Sequence, residues 1–161
     1  MSSPAPGSSG AVRPLAALAY ATVGFVALVI AGFGMTSLLL DADVIAVPGL
    51  GAAPGALGVA LATLSFAGVV WATVRTARPS YGGSALAAVA AFVGYLAGVW
   101  FGALLAGVDL ARATAAAGGF ATSVFALVLL GAAFVSGWVA VALVRTRAHR
   151  PRWPWERDDE P

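Results

Sequence analysis

The chain has 161 residues, 60% of them hydrophobic and 10% charged, with a formal net charge of +2 and a mean hydropathy of +0.91. A soluble domain carries about a quarter charged residues, so the composition excludes that class and points to an integral membrane protein. The length provides for about four spans of ~20 residues joined by short loops, which leaves no room for a separate soluble catalytic domain.

Cysteine is absent, which excludes disulfides, thiolate nucleophiles and cysteine-held metal sites. Lysine, asparagine and glutamine are absent too, and every basic residue is arginine. The arginines flank apolar runs and form no soluble basic face, so they are read as orienting a membrane protein rather than binding nucleic acid.

Residues 1–14, MSSPAPGSSGAVRP, are too poor in apolar side chains to order themselves and are expected to form a flexible cytoplasmic tail. The first span is predicted at 15–40, longer than the apolar region of a cleaved signal peptide. Asp41 and Asp43 stop it, and Val44 to Pro54 carries the proline and glycine punctuation of a loop. The second span is predicted at 55–74, ahead of a turn holding Arg75, Arg78, Pro79 and a glycine pair. The third is predicted at about 85–108. Asp109 and Arg112 interrupt it as a candidate i,i+3 ion pair, and the fourth span is predicted at 118–144.

These runs are continuously apolar, whereas a barrel strand alternates, so the expected fold class is all-α: a four-helix bundle integral to the membrane, its transmembrane domain spanning 15–144. In an alternating topology Arg13, Arg75, Arg78 and Arg145, Arg147, Arg150, Arg152 and Arg157 share one side, and Arg112 stands alone on the other. From the excess of arginine both termini are expected in the cytoplasm, and the chain is expected in the plasma membrane.

The most specific pattern lies in the third span, where Ala90, Gly94, Gly98, Gly102 and Ala106 recur every four residues. Such a small-residue ridge lets two helices approach closely, so that van der Waals contact replaces the hydrophobic drive that lipid lacks. It is expected to pack against a neighbouring span, with a homo-oligomeric seam or a lined groove as the alternatives. Weaker ridges are read at Ala132, Ser136 and Ala140, at Gly51 and Gly55, and at Gly68 and Ala72. Thr63, Ser65 and Tyr95 fall near one membrane level and are expected to meet between spans two and three, as interhelical hydrogen bonds or as a substrate contact.

No Asp, Glu, Lys, Arg or His lies inside a predicted hydrocarbon segment, which argues against an ion-coupled transporter. There is no Gly-x-Ser-x-Gly, no His-Glu-x-x-His and no phosphate loop, and His149 is the sole histidine. No catalytic, cofactor or metal residues are therefore assigned, and the chain is expected not to be an enzyme. Asp41, Asp43 and Asp109 are read as helix ends and loop residues rather than a cation site.

Residues 145–161 form a cytoplasmic tail rich in Arg, Trp and Pro. Arg145, Arg147, Arg150 and Arg152, with Trp153 and Trp155, suit the membrane interface, where each arginine gains about 1 kcal/mol from anionic headgroups. The layout of four alanine-rich spans, short loops and the tail RPRWPWERDDE resembles uncharacterised small membrane proteins of high-GC Gram-positive (actinobacterial) bacteria. That resemblance implies no activity and no site residue. The functional expectation is a non-enzymatic accessory or structural protein, partnered by the bilayer and by a second copy or another membrane protein; the alternative is a small permease or channel for an uncoupled or lipophilic solute.

Overall fold

The computed structural model describes residues 14–45, 51–76 and 79–145. These form five α-helices: α1 Pro14–Leu40, α2 Ala53–Val74, α3 Gly82–Leu105, α4 Leu110–Ala121 and α5 Val124–Arg145. Four of them, α1, α2, α3 and α5, are long and apolar enough to cross a membrane. The described residues are all-helical and have the build of a multi-pass membrane protein.

The helix ends follow from a few residues. Pro14 opens α1, a place where its missing N–H costs nothing. At the other end Asp41 takes a positive φ of 48°, the Ala42 N–H reaches back to the Ser37 carbonyl at 3.2 Å, and the Ser37 hydroxyl donates to the Ala42 carbonyl at 2.7 Å. α3 ends in a full Schellman motif. Gly107 sits at φ 80°, its N–H bonds the Leu104 carbonyl, and the Val108 N–H bonds the Ala103 carbonyl, each at 3.0 Å. The third helix therefore runs 82–105 rather than 85–108, because the backbone turns out of the helix at a glycine that hydropathy alone counts as apolar.

The fourth span differs more. Where one helix was expected from residue 118, Gly118 and Gly119 belong to the short helix α4, and the long helix begins at Val124. The Asp109 side chain starts α4 by accepting the Arg112 backbone N–H at 3.0 Å, and the side chains of the two residues form an ion pair at 3.5 Å. The break falls at residues 122–123, where backbone and hydroxyl share the last carbonyls of α4. The N–H and hydroxyl of Thr122 both donate to the Gly118 carbonyl, the hydroxyl also to Gly119, and the N–H and hydroxyl of Ser123 both donate to the Phe120 carbonyl.

The long helices pack in a circuit, α1 on α2, α2 on α3, α3 on α5 and α5 on α1, with α4 laid along α3. The α2–α3 pair is the most extensive contact and α3 the most enclosed helix. The first tail, residues 1–13, and the last, 146–161, lie outside the described residues.

Candidate functional site

The α2–α3 contact is built from glycine. Gly94, Gly98 and Gly102 are all buried in α3, one turn apart, and each meets backbone across the seam, Gly94 the Ser65 side chain as well. A methyl group on Gly98 would come 2.5 Å from the Leu57 carbonyl oxygen and 2.6 Å from Gly58 Cα. On Gly94 it would lie 2.6 Å from the Ser65 hydroxyl and 2.8 Å from the Leu61 carbonyl oxygen, and on Gly102 2.7 Å from Pro54 Cα. Separations this small are closed to any side chain, so the two backbones touch only because these positions have no Cβ.

The ridge is shorter than its sequence pattern. Ala90 is only half-buried and Ala106 is exposed beyond the end of α3, which removes both ends of the five-residue row; Ala106 falls off because the Schellman turn has already redirected the chain. Sequence reasoning also missed the other half of the seam. The three glycines meet Pro54, Leu57, Gly58, Leu61 and Ser65 of α2, and Gly58 opposes α3 so closely that a methyl there would meet Val99 at 3.0 Å and Tyr95 at 3.1 Å. Pro54 and Gly58 belong to the row Pro54, Gly58, Ala62, Phe66, Val70 and Val74, buried along α2 at four-residue spacing. That spacing was visible in the sequence, with Gly58 as its small residue. The ridges expected instead at Gly51 and Gly55 and at Gly68 and Ala72 do not form: Gly51 lies outside the helix at φ 65°, Gly68 faces open space, and Ala72 is exposed. In α5, Ala132, Ser136 and Ala140 are buried.

Next to the seam is an aromatic layer. Tyr95 stacks on Phe120 of α4 with ring centroids 4.1 Å apart, and the edges of Phe33 meet Tyr95, Phe120 and Phe125 at 5.8, 6.0 and 5.7 Å. One phenylalanine of α1 thus ties α3, α4 and α5 together. Phe25 stacks on Phe66 at 4.5 Å and extends the layer between α1 and α2. Phe120 is carried into it by α4, whose buried residues Ala113, Ala116 and Phe120 make a one-sided stripe, while Trp100 Nε1 donates to the Thr114 hydroxyl at 3.2 Å.

The polar groups expected to converge at mid-depth are used separately. Thr63 donates to the Val59 carbonyl of its own helix at 2.7 Å, Ser65 sits against Gly94, and Tyr95 is part of the aromatic layer. Ser136 is buried without a hydrogen-bond partner for its hydroxyl, opposite Gly24 of α1. Asp41 ends α1 and Asp109 caps α4, the boundary roles expected of them.

Comparison with known proteins adds the family. Residues 13–161 match DUF6121, described as a family of unknown function. The chain belongs to DUF6121. No curated protein and no solved structure matches it. In this DUF6121 chain the interface arginines divide at the last helical residue: Arg145 is exposed at the end of α5, its guanidinium 4.8 Å from the centre of the Tyr81 ring, while Arg147, Arg150, Arg152, Trp153 and Trp155 lie outside the described residues.

Proposed function

We propose that the protein acts in the plasma membrane as a non-enzymatic accessory or structural component, through association of its helices with a second copy or another membrane protein. The observation that carries this reading is the way the glycine ridge is used. Gly94, Gly98 and Gly102, the face that a lined groove would need, are spent on backbone contact with α2, so the interior is committed to holding the chain together. The surface left for recognition is the outside of the helices, above all α1, the least enclosed of the four long ones. On it Ala27, Ala31 and Gly34 lie exposed among Val23, Ile30, Met35 and Leu38. Such a face suits helix packing in lipid as well as it suits lipid itself.

Crosslinking in native membranes, followed by affinity purification and mass spectrometry of the tagged chain, tests this. A stoichiometric membrane partner or a defined homo-oligomer is expected. Recovery of a monomer that conducts solute in liposomes would replace the reading with the permease.

The proposed orientation has both termini in the cytoplasm. Its support is the division of charge between the ends of the helices: Arg75 and Arg145 close α2 and α5 at one end, and Asp41, Asp43, Asp109 and Arg112 occupy the connections at the other. Because the chain has no cysteine, single cysteines report cleanly. Those at Ser3 and Ser80 are expected to resist an impermeant thiol reagent in intact cells while one at Ala42 reacts; labelling at Ser80 alone overturns the topology.

A further inference from the structure

We propose that the end of the protein carrying Arg145 holds the headgroup phosphate of an anionic phospholipid, on guanidinium N–H groups that aromatic rings orient without consuming. Tyr81, at the start of α3, stacks on Trp138 of α5 at 5.9 Å and 24°, and the Arg145 guanidinium lies over the Tyr81 ring at 4.8 Å. α2 repeats the device at the same end, with Arg75 at 5.9 Å from the Trp71 ring. All five side chains are exposed.

A ring face binds a guanidinium through its flat surface, so the N–H groups around its edge stay available, and their fork matches two phosphate oxygens. Among the described residues no carboxylate lies at this end of the helices. The described carboxylates, Asp41, Asp43 and Asp109, belong to the connections at the opposite end, and the one ion pair among the described residues joins Arg112 to Asp109. Tryptophan and tyrosine also suit this depth, since each has an apolar body and a polar tip that match the headgroup layer.

Lipid rather than soluble phosphate is indicated by what adjoins the rings. From Tyr81 and Trp138 the outer faces of α3 and α5 continue as exposed Ala85, Val89, Gly131, Phe134 and Val135, an apolar track for an acyl chain below a cationic head site. The site requires only that the long helices cross a bilayer, and it is independent of the partner reading above.

The test uses the full-length protein, purified in detergent, offered an equimolar mixture of phosphatidylglycerol and phosphatidylcholine, with retained lipid counted by native mass spectrometry. The wild type is expected to retain phosphatidylglycerol preferentially, and Arg145→Gln to lose about fivefold of it, the share one arginine near an anionic surface contributes. Tyr81→Phe keeps the ring face and should retain the lipid; Tyr81→Leu removes it and should lose lipid as Arg145→Gln does. Arg112→Gln, at the other end, should behave as wild type, and excess inorganic phosphate should leave the lipid in place. Equal retention of the two lipids, wild-type retention by Arg145→Gln or Tyr81→Leu, or displacement by inorganic phosphate would each overturn the proposal. Co-purification of a membrane partner should be unchanged in Arg145→Gln, which separates failure of this site from failure of the partner reading.

Discussion

The seam between α2 and α3 and the contacts of α1 are both written at four-residue spacing, yet they hold by opposite means. In the seam the repeated residues are Gly94, Gly98 and Gly102, and the obstacles they meet are mainly backbone, the Leu57 and Leu61 carbonyls and the backbone of Pro54 and Gly58, with the Ser65 hydroxyl beside Gly94. Along α1 the buried row is Ala17, Ala21, Phe25, Val29 and Phe33, and the partners at its centre are rings. Even its glycines differ: a methyl on Gly32 would come 2.5 Å from Cγ1 of Val128, the end of a side chain. Without a hydrophobic drive between helices, stability depends on how many atoms touch. One region gains contacts by bringing backbones together and the other by inserting large side chains between helices that stay further apart.

The difference predicts unequal tolerance. Gly98→Leu should be the most damaging change, because a rigid backbone cannot yield to four added carbons; a loss of about 3 kcal/mol or more is expected, beyond ordinary overpacking. Unfolding in a mixed-micelle denaturant titration followed by far-UV circular dichroism measures it, and a midpoint like that of the wild type would show that α2 and α3 are not in backbone contact. Phe33→Ala should come next, at about 3 kcal/mol, since it empties the point where Tyr95, Phe120 and Phe125 meet. Its signature should also differ: the seam stays closed, so a disulfide engineered across α2 and α3 should still form.

Gly32→Ala sharpens the contrast. Its obstacle is one methyl of Val128, so about 1 kcal/mol is expected, against a clearly larger loss for Gly98→Ala in the same titration. Equal losses would mean that backbone and side-chain obstacles yield alike. Gly131→Ala, with nothing within 4 Å, should change the midpoint by less than about 0.5 kcal/mol. A larger loss measured in native membranes than in detergent would place a neighbouring molecule against that face of α5.

The two regions were also unequally legible. The α3 ridge stands out in the sequence because glycine is conspicuous in a row, and its three inner members are the buried ones. The α2 row was overlooked because Pro54, Ala62 and Phe66 differ in size, and a seam needs only one glycine, Gly58, where the backbones come closest. The aromatic layer was not legible at all. Phe33 and Phe120 are far apart in sequence, and only the return of α4 along α3 brings them together.

Composition and the length of the apolar runs were enough to determine an all-helical, membrane-type chain with four long helices, since a backbone in lipid must satisfy its hydrogen bonds within each segment. The Asp109–Arg112 helix start was also local, requiring only three residues of separation. What the tertiary structure alone decided was partnership: that the glycines of α3 face α2 rather than a groove, that residues 110–121 fold back as a helix of their own, and that Phe33 closes the centre. Those outcomes depend on which surfaces meet at a few ångströms. Hydropathy carries no information about that, because in an apolar medium one greasy face is as acceptable as another until shape distinguishes them.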